Sequence, residues 1–529
     1  MIKSVVKDVL KKYSFVILMC FFVCISFGNS YSSFFVYESS DRVTQMFMNK
    51  INLSFTINGL EESFLTIENG THFINIIVNG SEMVDSSYKL GYKPDSDITI
   101  GYYDRYEKPR GIISKSESKE IVLVVTNSST TSKDINFSVF SGYVGDSVDN
   151  IEMDDNYSEI ITEVSYPTIF EVMQRDNEIF ADNVTSTYVG NSSGINFKAA
   201  SSDTNGKGLY YTSDLTKTED FDGDGNGERV YYYRGDVENN FLVFAGYCWR
   251  IVRTNEDSSI KLIYNDKYDP TVGCKNPMTG VSSIGSSPYN YTKGDNAYVG
   301  YMMGIDNQCT SGSCDATMNT TSYSEAHANI YDSTIKKYID EWYENNILMQ
   351  GTKITSKIAN TIYCNDRKMV TNGYTGSHTQ LGYGNNSSHY AAYVRLAMGG
   401  LPQYKCEQQN DEFTLRVDSG GILGFGNNAL KYPIALLSAD EIVYAGNIVP
   451  SGENTSSNTE TFLVNSSLYR TLSPGNFTGS YNYIYSMVLK DLQDIGSTVS
   501  TNIFPVISLK SDVDIINGNG FYNNPYIVY

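Results

Sequence analysis

The sequence predicts a fold that is mainly β with a few helices, divided into an all-β front module and a larger disulfide-braced α+β domain. From about residue 41 to residue 144, apolar and polar residues alternate as they do in half-buried strands, and turn pairs such as Asn58-Gly59 separate the runs. Helix signals are few and short. The six cysteines that follow the N-terminal apolar segment lie at or beyond Cys248, so cross-links belong to the second part of the chain. At 529 residues, the chain also exceeds what one hydrophobic core usually organises.

The chain opens with the pattern of an export signal. Four lysines precede a nearly unbroken apolar run from Phe15 to Phe27. As a helix this run spans roughly 20 Å, less than the roughly 30 Å of hydrocarbon in a bilayer, so it suits the core of a signal peptide. Ser26 and Gly28 form a small-x-small cleavage site, and without cleavage the segment remains as a membrane anchor. We therefore predict a signal peptide or signal anchor over residues 1–28, an extracellular or cell-surface location, and membrane contact only through this segment.

Residues 29–145 are predicted to form a β-sandwich module of the immunoglobulin-like kind. Its alternating runs are separated by Asn-Gly turns, it contains no cysteine, and about a hundred residues is a usual size for such a sandwich. The predicted strands lie at 53–57, 73–78, 98–102, 121–126 and 135–140.

The segment 146–205 is predicted to be a linker, because it is acidic and polar, with one short helix near residues 168–173. Aromatic strands then begin the second domain, residues 206–529. In this domain Asp332 is predicted to cap a helix with an apolar face, and the Ser438-x-x-Glu441 spacing is that of a capping box.

The six later cysteines predict three disulfides, because an exported protein folds in an oxidising compartment. A metal site would need tight pairs such as C-x-x-C, and the sequence contains none. Six cysteines allow 15 connectivities, and sequential pairing closes the shortest loops. It would join Cys248 to Cys274, Cys309 to Cys314, and Cys364 to Cys406.

The net charge of −21 and the pI near 4.6 argue against nucleic acid as a partner, since nucleic-acid binding needs clustered Lys and Arg. An acidic ectodomain instead suits divalent cations. The segment from Asp220 to Glu228 has carboxylates at loop positions 1, 3, 5 and 9 and a glycine at position 6, as a calcium loop requires. Position 12 is Tyr231 where an EF-hand has its bidentate Glu, so this is not a regular EF-hand, and an exposed acidic turn remains the alternative. We favour calcium, in a role that pins the loop. Its predicted ligands are Asp220, Asp222, Asp224, Asn226 and Glu228.

Other constellations are weaker. His378 and His389 flank one loop, but no acidic or cysteine partner has useful spacing, so solvated loop histidines are favoured. Ser419 follows an Asp, but no histidine lies in a matching motif. Trp249 and Trp342 are predicted to pack in the core. A ligand surface is expected instead on the long polar loops 285–321 and 373–388.

Several segments of the second domain resemble a family of uncharacterised exported proteins of low-GC gut bacteria. The resemblance covers roughly residues 166–529. It is carried by Ser201–Tyr210, Val230–Gly235, Gly246–Arg253, Asp332–Trp342, Cys364–Arg367, Tyr432–Glu441, Leu472–Pro474 and Phe504–Leu509.

The closing pattern of that family, a Ser-Pro step followed by a Pro-Val-Ile-x-Leu strand, is similar to the C-type-lectin-like fold shared with formylglycine-generating enzymes. The resemblance therefore implies a C-type-lectin-like domain over residues 206–529. A formylglycine-generating activity would need a late cysteine pair for copper, and no cysteine follows Cys406.

The leading functional hypothesis is a non-catalytic surface protein that binds an extracellular glycan or protein. The competing hypothesis is a cell-surface enzyme, a hydrolase or a formylglycine-type oxidase, acting through Glu228, Asp366 or Asp440. A third is a structural component of the envelope.

Overall fold

The computed structural model is mainly β, with 37% of residues in strands and 13% in helices, which confirms the predicted fold class at this level. The described residues divide into two compact units between Ser165 and Tyr166. The predicted export segment lies outside the described residues, and within those residues no helix has the length and apolarity to cross a membrane. The described residues are 51, 53–144, 147–181, 194–202, 205–275, 281–317, 319–370, 382–397, 400–449, 460–463, 468–488 and 491–529.

The first unit consists of two five-stranded sheets that share one apolar core. The order is β1-β3-β7-β5-β10 in one sheet and β2-β8-β4-β6 in the other, where β9 also pairs with β4. The alternation read from the sequence sets the inward face: in β3, Ile74, Ile76 and Val78 are buried while the residues between them are half-buried. The strands are β1 (Ser54–Ile57), β2 (Phe64–Ile67), β3 (Gly70–Asn79), β4 (Ser86–Tyr92), β5 (Ile98–Tyr103), β6 (Arg110–Ile113), β7 (Ser118–Asn127), β8 (Lys133–Tyr143), β9 (Ser158–Glu159) and β10 (Glu163–Val164).

The segment predicted as a linker is divided between the two units. Residues 147–165 supply β9 and β10 to the first unit, whereas the second unit begins with a helix, Ile169–Arg175, close to where the sequence places one. Thr168 caps that helix through a capping box with Glu171. This segment therefore contributes paired strands as well as a helix.

The second unit is built around a nine-stranded sheet, beside a six-stranded sheet and three two-stranded ones. The central strand β15 pairs with β14, β13 and β16, and β16 pairs in turn with β29. The strands are β11 (Ile179–Ala181), β12 (Gly208–Thr212), β13 (Val230–Arg234), β14 (Phe241–Phe244), β15 (Tyr247–Thr254), β16 (Ile260–Lys267), β17 (Ser286–Ser287), β18 (Thr292–Lys293), β19 (Met302–Met303), β20 (Cys314–Asp315), β21 (Tyr331–Asp332), β22 (Tyr363–Cys364), β23 (Ser388–His389), β24 (Glu412–Phe413), β25 (Tyr469–Phe477), β26 (Asn482–Val488), β27 (Asp491–Gly496), β28 (Thr501–Asn502), β29 (Val506–Leu509), β30 (Ile515–Asn517) and β31 (Tyr526–Val528).

Helices cover parts of this unit, and two of them follow the sequence signals closely. The predicted helix after Asp332 buries Ile335 and Ile339, but its N-cap is Ser333, whose hydroxyl accepts from the backbone N–H of Lys336. Asp332 was therefore wrong as the cap; its carboxylate lies 3.1 Å from Lys336 Nζ. The Ser438 capping box is confirmed. The helices are α1 (Ile169–Arg175), α2 (Tyr323–Ala326), α3 (Thr334–Asn346), α4 (Thr352–Thr355), α5 (Ala391–Ala397) and α6 (Ala439–Tyr444).

Three disulfides brace the second unit, and they follow the sequential pairing expected from the sequence. Cys248 is joined to Cys274, Cys309 to Cys314, and Cys364 to Cys406. Trp249 lies beside the first of them and is completely buried, with its indole N–H donating to the carbonyl of Phe244 at 3.0 Å. Trp249 is thus a core residue, as predicted.

Candidate binding face of the second unit

The acidic loop from Asp220 to Glu228 brings three carboxylates together. One oxygen from each of Asp220, Asp222 and Asp224 lies within 4.8 Å of the other two. Gly223 and Gly225 have φ angles of 77° and 88°, a region that favours glycine, and these turns curl the chain around the three side chains. Asp220 Oδ1 is buried and has no hydrogen-bond partner among the protein atoms. The loop therefore presents three oxygens of the type that calcium prefers.

The other two predicted ligands have different partners. Glu228 accepts a hydrogen bond from the backbone N–H of Asp222 at 3.1 Å, so its carboxylate closes the loop. The amide of Asn226 donates to Asp224 Oδ2 at 3.1 Å, and its backbone N–H donates to Oδ1. These bonds lower the pKa of Asp224 and keep it ionised. The structure thus gathers three of the five predicted residues and uses the remaining two as braces.

An apolar turn packs beside the acidic loop. Phe221, in the loop, contacts Phe425 edge to face, with ring centroids 5.6 Å apart. Phe425 ends a turn closed by its backbone N–H donating to the carbonyl of Ile422, and Gly424 in that turn has a φ of 85°. The turn leaves its two aliphatic side chains in solvent: Ile422 is 66% exposed and Leu423 is 84% exposed. We call the segment 416–429 the apolar loop.

An open groove of about 550 Å³ is lined in part by the apolar loop. Its lining includes Asn329 and Ile330, and, from the apolar loop, Arg416 and residues 427–429. Ile330 is 65% exposed at the rim. A groove of this volume lies within the range of ligand pockets. The apolar loop therefore lines the groove and, through Phe425, also contacts the acidic loop.

The polar walls of this groove are held by hydrogen bonds to the backbone. The carbonyl of Asn410 accepts from the amides of Asn329 and Asn427, at 2.7 and 2.9 Å, and from Arg367 at 3.1 Å. The amide of Asn428 donates to the carbonyls of Leu415 and Ile422, at 2.9 Å each. These bonds make the groove a preformed feature, because the amides that line it also fix the loops that shape it.

His327 lies under the groove and is 3% exposed. Its Nδ1 lies 3.1 Å from the carbonyl of Tyr323, and its ring stacks on the ring of Tyr323 at 4.0 Å. Burial, together with the charge of Arg367, lowers its pKa to about 2. His327 is therefore neutral at physiological pH and acts as a packing residue.

Of the two histidines that flank the loop, the structure describes only His389. His389 is 5% exposed and its ring stacks on Tyr393 at 5.0 Å, so the expectation of a solvated loop histidine was wrong for this residue. Ser388 and His389 pair with β25, and that pairing draws the end of the loop into the sheet. His378 lies outside the described residues.

Asp366 and Asp440, the carboxylates of the enzyme hypothesis, share one partner. Arg395 donates to Asp366 at 2.9 Å and to both oxygens of Asp440 at 2.9 and 2.7 Å. Burial raises the pKa of Asp366 to about 6, although Arg395 opposes that rise. Through these bonds Arg395 connects α5 with α6 and with the segment after β22.

A second buried ionic cluster lies at the start of α6. Glu441 accepts from Arg253 at 2.8 Å and from Lys261 at 2.6 Å. Burial alone would raise the pKa of Glu441, but the two cations outweigh it and lower the pKa to about 2. The small polar cavity beside the cluster, about 20 Å³, has room for a single water.

Of the loops on which the sequence predicts ligand contacts, 285–321 and 373–388, only the first contributes to the groove, through Met302. The other lining residues are 327–330, 409–410, 416 and 426–429, which the sequence did not indicate. Two of the lining residues, Asn329 and Asn428, adopt positive φ angles of 52° and 50°, which asparagine tolerates. Trp342 is half-buried against Tyr247 and Tyr264, with ring centroids 5.3 and 5.8 Å away.

No protein-family model, curated protein or solved structure matches this chain.

Proposed function

We propose that the chain is an exported cell-surface protein that binds an extracellular ligand, a glycan or a protein, without catalysis. The observation that carries the proposal is the groove of about 550 Å³, which is lined in part by the apolar loop, and this loop contacts the acidic loop through Phe425 and Phe221. The export pattern of residues 1–28 supports the location. The ion pairs that Arg395 makes with Asp366 and Asp440 favour binding over hydrolysis, because they leave these carboxylates engaged in the fold.

In this proposal the first unit is an immunoglobulin-like sandwich that spaces the second unit from the cell surface. Support comes from its two five-stranded sheets around one core. The second unit is proposed as a C-type-lectin-like domain, on the strength of the sequence resemblance and the three disulfides that brace it. Fold kinship of this kind implies no particular ligand.

Calcium is proposed to bind the acidic loop. Asp220, Asp222 and Asp224 would supply carboxylate oxygens, and backbone carbonyls and water would complete the six to eight oxygens that calcium takes. The unpartnered Asp220 Oδ1 fits this group, because a bound cation would satisfy it. The ion would fix the loop that carries Phe221, whose ring contacts Phe425 of the apolar loop.

The test is the melting temperature of the purified full chain in calcium and in chelator, together with retention on a glycan panel under both conditions. Saturating calcium is expected to raise the melting temperature by about 2 to 5 °C, because a ligand that binds only the folded state stabilises it. Asp222→Asn should remove most of this rise while Asp512→Asn, an exposed carboxylate elsewhere in the unit, should retain it. If calcium does not raise the melting temperature of the wild-type protein, calcium binding is rejected. If Ala429→Trp, which fills the groove, abolishes retention on the glycan panel, the glycan binds in the groove.

A further inference from the structure

We infer that the ligand of this face is a peptide segment of another protein, with bulky apolar side chains next to lysine or arginine residues. The inference rests on the proposed binding function and names the class of ligand. Three features of the face point to it: the aliphatic side chains of the apolar loop, the hydrogen-bonded state of the groove amides, and the charge of the acidic loop.

Several large apolar side chains on and beside the apolar loop are exposed to solvent. Val417, Ile422 and Leu423 are 52%, 66% and 84% exposed, and Phe221 beside them is 48% exposed. Single exposed apolar residues are ordinary, but neighbouring ones on a loop that borders a groove mark a surface for a protein partner. A partner that covers these side chains gains free energy, because their apolar surface is removed from water.

The groove amides favour a peptide over a sugar. Each of the five amide side chains that line the groove donates at least one N–H to a backbone carbonyl, so part of its hydrogen-bonding capacity holds the loops in place and is not available to sugar hydroxyls. An apolar side chain could contact Ile330 and Ala429, two of the apolar residues that line the groove. The five amides belong to Asn329, Gln409, Asn410, Asn427 and Asn428.

The acidic loop supplies the charge preference. Asp220, Asp222 and Asp224 place three negative charges at one end of the face, and the nearby cation Arg416 is already paired with Asp418 at 2.8 Å. A partner with Lys or Arg at that end is therefore attracted. A second copy of this chain is disfavoured, because each copy carries a net charge of −21 and would bring its own acidic loop.

This assignment reverses the expected effect of calcium. In a lectin-like mode, calcium switches glycan binding on. For a basic peptide, calcium bound by the three carboxylates neutralises two of their negative charges and weakens the attraction. Peptide affinity should therefore be several-fold higher in chelator than in calcium, and it should fall as the salt concentration rises.

The experiment is selection of a random 12-residue displayed peptide library on the full chain in chelator, followed by affinity measurements with the enriched synthetic peptides. Enriched peptides should combine Leu, Ile or aromatic residues with Lys or Arg. Leu423→Ser should weaken their binding at least about tenfold, and Asp222→Asn about fivefold. Asp222→Asn keeps an oxygen for the N–H of Asp224, which Asp222 Oδ1 accepts at 3.0 Å, so the loop shape is maintained.

Two matched controls guard against nonspecific effects. Met349→Ser removes an apolar side chain that is 77% exposed outside this face, and Asp512→Asn removes an exposed charge; both should bind the peptides as wild type does. Enrichment of acidic or uncharged peptides, or equal binding by Leu423→Ser, would overturn the inference. Calcium-dependent glycan retention with no enriched peptide would overturn it while leaving the proposed function standing. Failure of both binding assays would remove both proposals.

Discussion

The buried carboxylate of Glu441 provides the sharpest test of the structure. It neutralises Arg253 and Lys261 in a site where all three side chains are at most 4% exposed. Glu441→Gln keeps the shape of the side chain and an oxygen for the capping box, but it leaves two buried cations without their shared anion. Lowering the pKa from 4.5 to about 2 corresponds to about 3 kcal/mol of stability at neutral pH. Removing one partner of a buried pair has effects of about 3 to 5 kcal/mol. We expect Glu441→Gln to destabilise the second unit by about 3 kcal/mol at pH 7.

The pH dependence adds a second readout. A carboxyl whose folded pKa is depressed stabilises the fold above its unfolded pKa and loses that contribution as the pH falls toward the folded value. Between pH 7 and pH 3.5, wild type should lose about 1.4 kcal/mol of this contribution. Glu441→Gln cannot lose it, so the difference between the two proteins should shrink by that amount.

Urea unfolding followed by tryptophan fluorescence measures both effects. Both tryptophans of the chain, Trp249 and Trp342, lie in the second unit, so the signal reports on that unit alone. Urea is preferred to guanidinium because it does not screen charges. Ser438→Ala is the matched control: it removes the hydroxyl cap, at about 1 kcal/mol, and its deficit should not change over this pH range. A Glu441→Gln midpoint equal to that of wild type, or a deficit that stays constant with pH, would refute the reasoning.

Two further predictions concern stability. Replacing Cys364 and Cys406 by serine should destabilise the second unit by about 4 kcal/mol, because this disulfide spans 42 residues. The same change at Cys309 and Cys314, which are 5 residues apart, should destabilise it by about 2 kcal/mol. Equal shifts in the urea midpoint would contradict the dependence on loop length. Burial raises the pKa of Asp494 to about 7, against the effect of the hydrogen bond from Asn476, so its ionisation destabilises the fold as the pH rises from about 4 through 7. Asp494→Asn should therefore be more stable than wild type by at least about 1 kcal/mol at pH 8 and should show no such gain at pH 4. A gain of the same size at both pH values would exclude ionisation of Asp494 as the cause.

Local patterns in the sequence predicted much of the fold. The alternation around Ile74 and Ile76, the Ser438 capping box and the disulfide pairing depend on residues close in the chain, and the structure reproduces them. The cap at Asp332 failed by one position because Ser333 offers an equally good acceptor. His389 was misplaced because its burial depends on β25, almost ninety residues later in the chain.

The candidate site was harder to foresee because it is assembled from separate segments. The acidic loop is continuous and was found from the spacing of its carboxylates. The groove joins residues near 302, near 329 and near 428, and no periodicity links segments so far apart. The contact between Phe221 and Phe425, which places the acidic loop beside the apolar loop, spans about two hundred residues in the same way.

The pairing of the last strands with early ones has a consequence for synthesis of the protein. Strand β14 pairs with β31, through Leu242 and Tyr526, and β16 pairs with β29. Until β29 and β31 have been synthesised, β14 and β16 therefore lack these partners for their backbone groups. The nine-stranded sheet therefore cannot be completed until residues 506–528 have been synthesised, so its folding depends on contacts between segments far apart in the chain.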